Sequence, residues 1–143
     1  MIPDYQNIGN KIDDIIHIGV KEVLELFKNE NVYLVDIREE YETAARQFDV
    51  IRVIFSPRSE LNENYNSLPK DCLLMIADSV GLRSKEAVIF LKEKGFKHVL
   101  NLAGGIVDWE RSGHSVIINP AETLHGQCAC MLRSNTGRKT DFK

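Results

Sequence analysis

Residues 73–84 read LLMIADSVGLRS. The first five form an apolar run that is too short for a helix and is typical of a strand buried on both faces. A short loop with Gly81 follows, and then SKEAVIFLKEKGF has a helical pattern with Ala87 and Leu91 on one face and Gly95 as C-terminal cap. A buried strand that leads through a glycine-containing loop into a helix is a basic unit of α/β folds.

The same alternation extends on both sides of this stretch. Upstream, a helical stripe covers 20–27, and short buried strands are expected at 32–35 and 50–55. Downstream, we expect a strand at 98–102 and a short last helix at 106–110. Buried strands that alternate with helices predict one α/β domain, with a mainly parallel sheet covered by helices on both faces.

Length and composition narrow the class of protein. The 143 residues leave room for one domain, and 43% hydrophobic with 27% charged residues is typical of globular proteins. The net charge of −3 provides no basic field for a phosphate backbone, so we expect no nucleic-acid partner. No window approaches the ~18 to 20 apolar residues of a membrane span. The first residues lack the pattern of a secretion signal. We therefore expect no membrane partner and a cytoplasmic location.

The order of the elements also divides the chain. The alternating strands and helices begin near Ile15 and end near Val116, while both flanks have irregular patterns. We predict an N-terminal arm at 1–15, the α/β domain at 16–116 and a C-terminal tail at 117–143.

The loop after the central strand is the first candidate site. Ligands in open α/β folds bind at the carboxyl ends of the strands, where loops expose backbone N–H groups. The loop Ser79, Val80, Gly81, Leu82, Arg83 can curl so that consecutive N–H groups point inward, with the Arg83 guanidinium closing the ring. These residues predict an anion-binding loop.

Motifs along the whole central region carry a family resemblance. They are Leu34-Val35-Asp36-Ile37-Arg38-Glu39, Glu40-Tyr41-Glu42, Ser59-Glu60-Leu61, Leu68-Pro69-Lys70-Asp71, Gly81-x-Arg83-Ser84 and Asn101-Leu102-x-Gly104-Gly105-Ile106-x-x-Trp109. In this order and spacing, the chain resembles a rhodanese-like domain from about residue 16 to 116. The resemblance implies a central, mainly parallel five-stranded sheet with helices on both faces, and it places the chain in a sulfurtransferase family.

One position departs from the family pattern. The sulfurtransferases of this family have a catalytic cysteine five residues before the arginine that stands here as Arg83, and this chain has Asp78 there. The chemistry needs a thiolate that attacks a sulfane donor and carries a persulfide, which a carboxylate cannot do. The resemblance therefore implies a loop that is inactive as a standard sulfurtransferase site. Asp78 taken by itself favours a structural role over a chemical one: its carboxylate accepts hydrogen bonds from the loop N–H groups and so fills the anion site, and Arg83 pairs with it or caps loop carbonyls.

The three cysteines fall into two classes. Cys72 opens the buried strand and is expected to be a small buried hydrophobic residue. Cys128 and Cys130 lie in the tail, where side chains at i and i+2 of an extended segment face the same way and basic neighbours such as Arg133 favour the thiolate. The pair is a candidate reactive site, and the alternative is a disordered tail with two incidental cysteines.

A metal site is the other chemistry to weigh in the tail. His125, Cys128 and Cys130 provide three ligands, one fewer than a structural zinc needs, unless a second copy of the chain completes the set. We predict no metal and no cofactor, and a homodimer is one candidate assembly.

Three functions compete at this point. The first is a non-catalytic binding or regulatory module for an unknown protein partner. The second is sulfur transfer or sulfur relay through Cys128 or Cys130 toward an unknown sulfur carrier. The third is a phosphatase-like use of the loop closed by Arg83, which lacks the cysteine nucleophile that such a loop needs. We rank them in that order.

Overall fold

The computed structural model describes residues 1–119, within which strands and helices alternate along the chain. The strands are β1 (Asn10–Ile12), β2 (Ile15–Ile18), β3 (Val32–Asp36), β4 (Arg46–Phe48), β5 (Val53–Phe55), β6 (Leu73–Ala77), β7 (Val99–Leu102) and β8 (Val116–Ile118). The helices are α1 (Val20–Leu26), α2 (Glu40–Ala45), α3 (Arg58–Asn64), α4 (Leu82–Glu93) and α5 (Gly105–Arg111), with one 3₁₀ turn at Tyr65–Ser67.

The main sheet has the order β1-β2-β7-β6-β3-β5. The five strands from β2 to β5 in this order run parallel, and β1 adds an antiparallel edge. The parallel sheet is as expected, but the sheet has one strand more than the five expected. The extra strand, β1, is three residues long and exposed throughout, and its sequence NKI has no apolar alternation that would predict a strand.

The N-terminal residues are more ordered than the irregular arm expected at 1–15. β1 and β2 form a hairpin whose two-residue turn is Asp13 and Asp14, both with positive φ, at 54° and 66°. This is the backbone that a two-residue hairpin requires, although asparagine and glycine are its usual residues. Tyr5 is buried against the core and its hydroxyl lies 2.8 Å from His98 Nδ1.

Two apolar layers cover the faces of the sheet, because successive side chains of a strand point to opposite sides. Met75 of β6 packs in the layer that contains α1 and α5 residues, including Trp109. Leu74 and Ile76 pack in the other layer, which contains α3 and α4 residues such as Leu91. Helices on both faces are therefore confirmed, and every residue of β6 is buried.

The central strand and its helix match the prediction closely. β6 covers 73–77, and Gly95 follows the end of α4 with a φ of +95°. The strand expected at 50–55 is regular only over Val53–Phe55. β4 and β8 form a separate two-stranded antiparallel sheet, which the sequence pattern did not indicate.

Candidate functional site

The loop between β6 and α4 lies at the carboxyl edge of the parallel sheet, as expected. The start of α5 holds this loop from one side. The amides of Ile106 and Val107 donate to the carbonyls of Asp78 and Ser79, at 2.9 and 3.1 Å. Gly105 permits this approach, because a Cβ there would lie 2.3 Å from the Asp78 carbonyl oxygen and the residue has a φ of +55°. The loop backbone is therefore fixed by its contact with α5.

The Asp78 carboxylate occupies the inside of the loop. Its side chain is fully buried and accepts hydrogen bonds from the amides of Gly81, of Arg83 at 2.8 Å and of Ser84 at 3.2 Å. The inward N–H groups that were expected to bind an anion thus already have an acceptor within the chain. This geometry agrees with the reading in which Asp78 fills its own anion site.

Arg83 pairs with carboxylates on two sides. Its Nε lies 3.6 Å from Asp78 Oδ2, and one terminal nitrogen lies 3.5 Å from Glu42 Oε2 of α2 and 3.4 Å from Ser79 Oγ. The guanidinium is therefore balanced by two negative groups. Glu42 was recognised only as part of a motif, because its place beside the loop depends on how α2 packs.

The tip of the loop is apolar and faces solvent. Val80 is 50% exposed and Leu82 is 72% exposed. Of the five residues expected to bind an anion, these two contribute exposed side chains, while Gly81 and Arg83 donate their amides to Asp78.

A chain of polar side chains leads from the loop across β7 to β2. Ser84 Oγ donates to Asn101 Oδ1, and Asn101 Nδ2 contacts His17 Nδ1 at 2.9 Å and the Gly81 carbonyl at 3.4 Å. The pKa of His17 lies below its ordinary value of 6.5, chiefly because of burial; Lys85 lowers it further and Asp13 acts in the opposite direction. His17 showed no partner in the sequence, since β7 lies far from it along the chain.

The cysteines lie away from the loop or outside the described part of the chain. Cys72 precedes β6, at the opposite end of the strand from Asp78, and is only partly buried rather than buried as expected. The expectations for His125, Cys128 and Cys130 fall outside residues 1–119. The last described residue, Asn119, donates its amide to the carbonyl of Ala45 at 3.0 Å, beside the end of α2.

Two further observations concern the described residues alone. Within 1–119, no group of three or more histidine, cysteine or acidic side chains is placed to hold a metal ion. No helix in the same range has the length and apolar character needed to cross a bilayer.

Comparison with known proteins identifies the family. The protein-family model of the rhodanese-like domain matches residues 19–112 of this chain. The chain belongs to the rhodanese-like domain family. Over 93 residues, this rhodanese-like chain is 34% identical to a sulfurtransferase of Allochromatium vinosum, covering 64% of the chain and 84% of that protein. It is 31% identical over 100 residues to the thiosulfate sulfurtransferase GlpE of Pseudoalteromonas translucida, covering 66% of the chain and 88% of that protein.

A solved structure supports the fold. The crystal structure of a rhodanese-related protein from Thermoplasma volcanium superposes with a TM-score of 0.64 at 28% identity, covering 72% of this rhodanese-like chain and 98% of the other. The chain therefore has the rhodanese-like α/β fold, with a mostly parallel central sheet.

Proposed function

We propose that this rhodanese-like protein is a binding or regulatory module whose β6–α4 loop does not transfer sulfur. The observation that carries the proposal is the buried Asp78 carboxylate inside the loop, with three backbone amides donating to it. By the resemblance to the family, Asp78 stands where the sulfurtransferases have the cysteine that carries the persulfide.

Charge and access both support an inactive loop. A carboxylate oxygen is a poor nucleophile toward sulfur, and its negative charge opposes an anionic sulfane donor such as thiosulfate. The side chain is also fully buried, so no substrate atom reaches it without opening the loop. The same burial argues against Asp78 as a nucleophile in a phosphatase-like reaction.

The exposed loop tip supports binding. Val80 and Leu82 present apolar surface next to a backbone that α5 and the Asp78 hydrogen bonds hold rigid. A backbone that is already fixed loses little conformational entropy when the exposed apolar side chains on it are covered, which favours a protein partner at this surface. The partner in this proposal is a protein, with a sulfur-carrier protein as one member of that class.

The inactivity is tested by the transfer of sulfur from thiosulfate to cyanide. We expect near-background turnover for the natural chain and a gain for Asp78→Cys, which replaces the carboxylate by a thiol beside the same amides. Asp78→Ser is the matched control, because it also removes the negative charge but supplies no thiol, and it should stay near background. Robust turnover of the natural chain that survives Cys128→Ser and Cys130→Ser together contradicts the proposal.

The binding role is tested by the introduction of a charged residue at the loop tip. Proteins captured by the natural chain from a lysate of its source organism should be lost with Leu82→Asp. Ile51→Asp is the control, since Ile51 is 75% exposed but lies before β5 rather than in the loop. Equal capture by Leu82→Asp and the natural chain contradicts binding through this tip.

Sulfur relay through Cys128 or Cys130 is the second candidate. Two observations favour it: two of the three cysteines fall within three residues, and the described chain ends beside Ala45, on the helix whose Glu42 contacts the loop. Cys128 follows Asn119 by nine residues.

The relay predicts that the tail thiols react before Cys72. Limited iodoacetamide at neutral pH should label the tail peptide first, and a sulfane donor should add sulfur to the same peptide, as seen by mass spectrometry. A repeat with chelator separates a metal-protected pair from an unreactive one. Labelling of Cys72 first under both conditions contradicts the relay.

A further inference from the structure

The loop carboxylate is connected to a titratable side chain on a different strand. The connection runs from Asp78 through Ser84 and Asn101 to His17, and each neighbouring pair is within 3.5 Å. Ser84, Asn101 and Asp78 are buried, while His17 is partly exposed on β2. We propose that His17 is a positioning residue whose protonation sets the direction of this hydrogen-bond chain and so changes how the loop holds Asp78.

The orientation of the Asn101 amide follows from its second partner. The nitrogen that contacts His17 also lies 3.4 Å from the Gly81 carbonyl, which can only accept a hydrogen bond. This nitrogen is therefore the NH₂ group of Asn101, and it donates to His17 Nδ1. The neutral imidazole then carries its proton on Nε2.

Ser84 has one proton to donate, and in this arrangement it goes to Asn101 Oδ1. The Ser84 hydroxyl is also 3.5 Å from Asp78 Oδ1, but it has no second proton for that oxygen. With neutral His17, the carboxylate is therefore held by backbone amides, and Asn101 supports the Gly81 carbonyl.

Protonation of His17 reverses this arrangement. Nδ1 then carries a proton and faces the NH₂ group of Asn101, so two donors meet. A half turn of the Asn101 amide relieves this, since it presents Oδ1 to His17 and NH₂ to Ser84. The Ser84 proton becomes free to donate to Asp78, while the Gly81 carbonyl loses its contact with Asn101. The turn of the Asn101 amide therefore affects the loop at two points, the Asp78 carboxylate and the Gly81 carbonyl.

The groups around His17 determine whether its neutral or its protonated form is favoured. His17 points to the α4 side of the sheet, since its neighbours Ile16 and Ile18 pack in the α1 layer. From α4, Lys85 disfavours the imidazolium, and from the hairpin turn, Asp13 favours it.

Asp14, in the same turn as Asp13, forms ion pairs with Lys11 and Lys92. The residues opposite His17 on the adjacent strands are the neutral Asn10 and Asn101. The coupling does not depend on the function proposed for the loop, because every group in it is described here by its own contacts.

An NMR titration between about pH 5 and 8 tests the proposal, because histidine is the side chain that ordinarily titrates in this range. We expect the Asn101 side-chain amide and the backbone amides of Arg83 and Ser84 to shift with the same midpoint as the His17 ring. The imidazole nitrogen shifts at high pH should show the proton on Nε2. His17→Gln keeps an acceptor for Asn101 but cannot titrate, so these shifts should disappear.

Two variants distinguish the hydrogen-bond chain from other causes of the pH-dependent shifts in the loop. Ser84→Ala removes the hydroxyl link to Asp78 but keeps the charge on His17 and the contact of Asn101 with the Gly81 carbonyl, so the Asn101 amide should still shift with pH while the shift of the Arg83 amide, which donates to Asp78, should be smaller. His98→Gln removes a histidine that bonds to Tyr5 at the opposite end of β7, and it should leave the loop titration intact. An Arg83 amide shift that is undiminished in Ser84→Ala, or loop amides that shift unchanged in His17→Gln, would overturn the proposal. So would the opposite tautomer, or the absence of a loop shift in the natural chain.

Discussion

Two aspartates are fully buried at the carboxyl ends of neighbouring strands, and their charges are balanced in different ways. Asp36 ends β3 and pairs in register with Ala77, the residue before Asp78. Asp36 is held by a cation, since the Arg38 guanidinium donates to both of its oxygens and is itself buried. Asp78 is held mainly by backbone amides of its own loop.

The two aspartates therefore have different structural roles. Asp36 connects elements of the fold through its ion pair, whereas Asp78 fixes the conformation of one loop. Arg38 also donates to the Arg46 carbonyl at 2.7 Å, so the ion pair fixes the start of β4 to the end of β3. A buried charge that loses its partner is costly, because neither water nor another group replaces it. Asp78 instead satisfies donors at the start of a helix, close to solvent, where water can reach part of the loop if the side chain is removed.

The largest effect is expected from breaking the Asp36 pair. Arg38→Met should lower the free energy of unfolding by about 3–5 kcal/mol, because Asp36 is left buried without a counter-charge. Denaturant unfolding measures this loss. Adding Asp36→Asn to the same variant should recover part of it, since the unpaired charge is then gone. A loss no greater than that of Asp78→Ala would remove the distinction between the two aspartates.

A smaller effect is expected at the loop. Asp78→Ala should lower the free energy of unfolding by about 1–2 kcal/mol, because the amides at the start of α4 lose their acceptor. The exposed Asp71 provides the control, and Asp71→Ala should change stability little. If Asp78→Ala is more stable than the natural chain, the carboxylate is held under strain, which indicates a functional role for that strain.

The smallest effect is expected from His17, and it depends on pH. Because the folded protein lowers the pKa of His17 from 6.5, the unfolded chain binds more protons, so stability falls as the pH drops below about 6.5. The loss is complete below the folded pKa. Thermal melts from pH 7.5 to 5 should therefore show a smaller decrease for His17→Gln than for the natural chain. Parallel pH dependence in the two proteins would mean that His17 does not contribute.

The sequence determined the strand, loop and helix around Asp78. An uninterrupted apolar run, a glycine with positive φ before the helix and a second glycine after it are local signals, since each fixes backbone conformation within a few residues. The place of Asp78 at the junction of strand and helix likewise predicts that its carboxylate accepts hydrogen bonds from the loop N–H groups. The α/β class followed from the same alternation over the remaining strands.

The elements that the sequence did not predict are short or lack an apolar pattern. α2 has six residues and only Thr43 is buried, while β1 is exposed throughout. β4 and β8 have three residues each and acquire regular structure by pairing with each other, with Arg46 opposite Ile118. Such segments become regular only when the rest of the chain positions a partner for them.

Only the tertiary structure decided which side chains reach the loop. Asn101 meets His17 because β2 and β7 pair in parallel, although the two residues are 84 positions apart. Glu42 meets Arg83 because α2 packs beside the α4 start. Local hydrogen bonding and apolar periodicity depend on residues that are close together in the sequence. The pairing of distant strands depends instead on burial of the whole core, and this pairing connects His17 to Asp78 through hydrogen bonds.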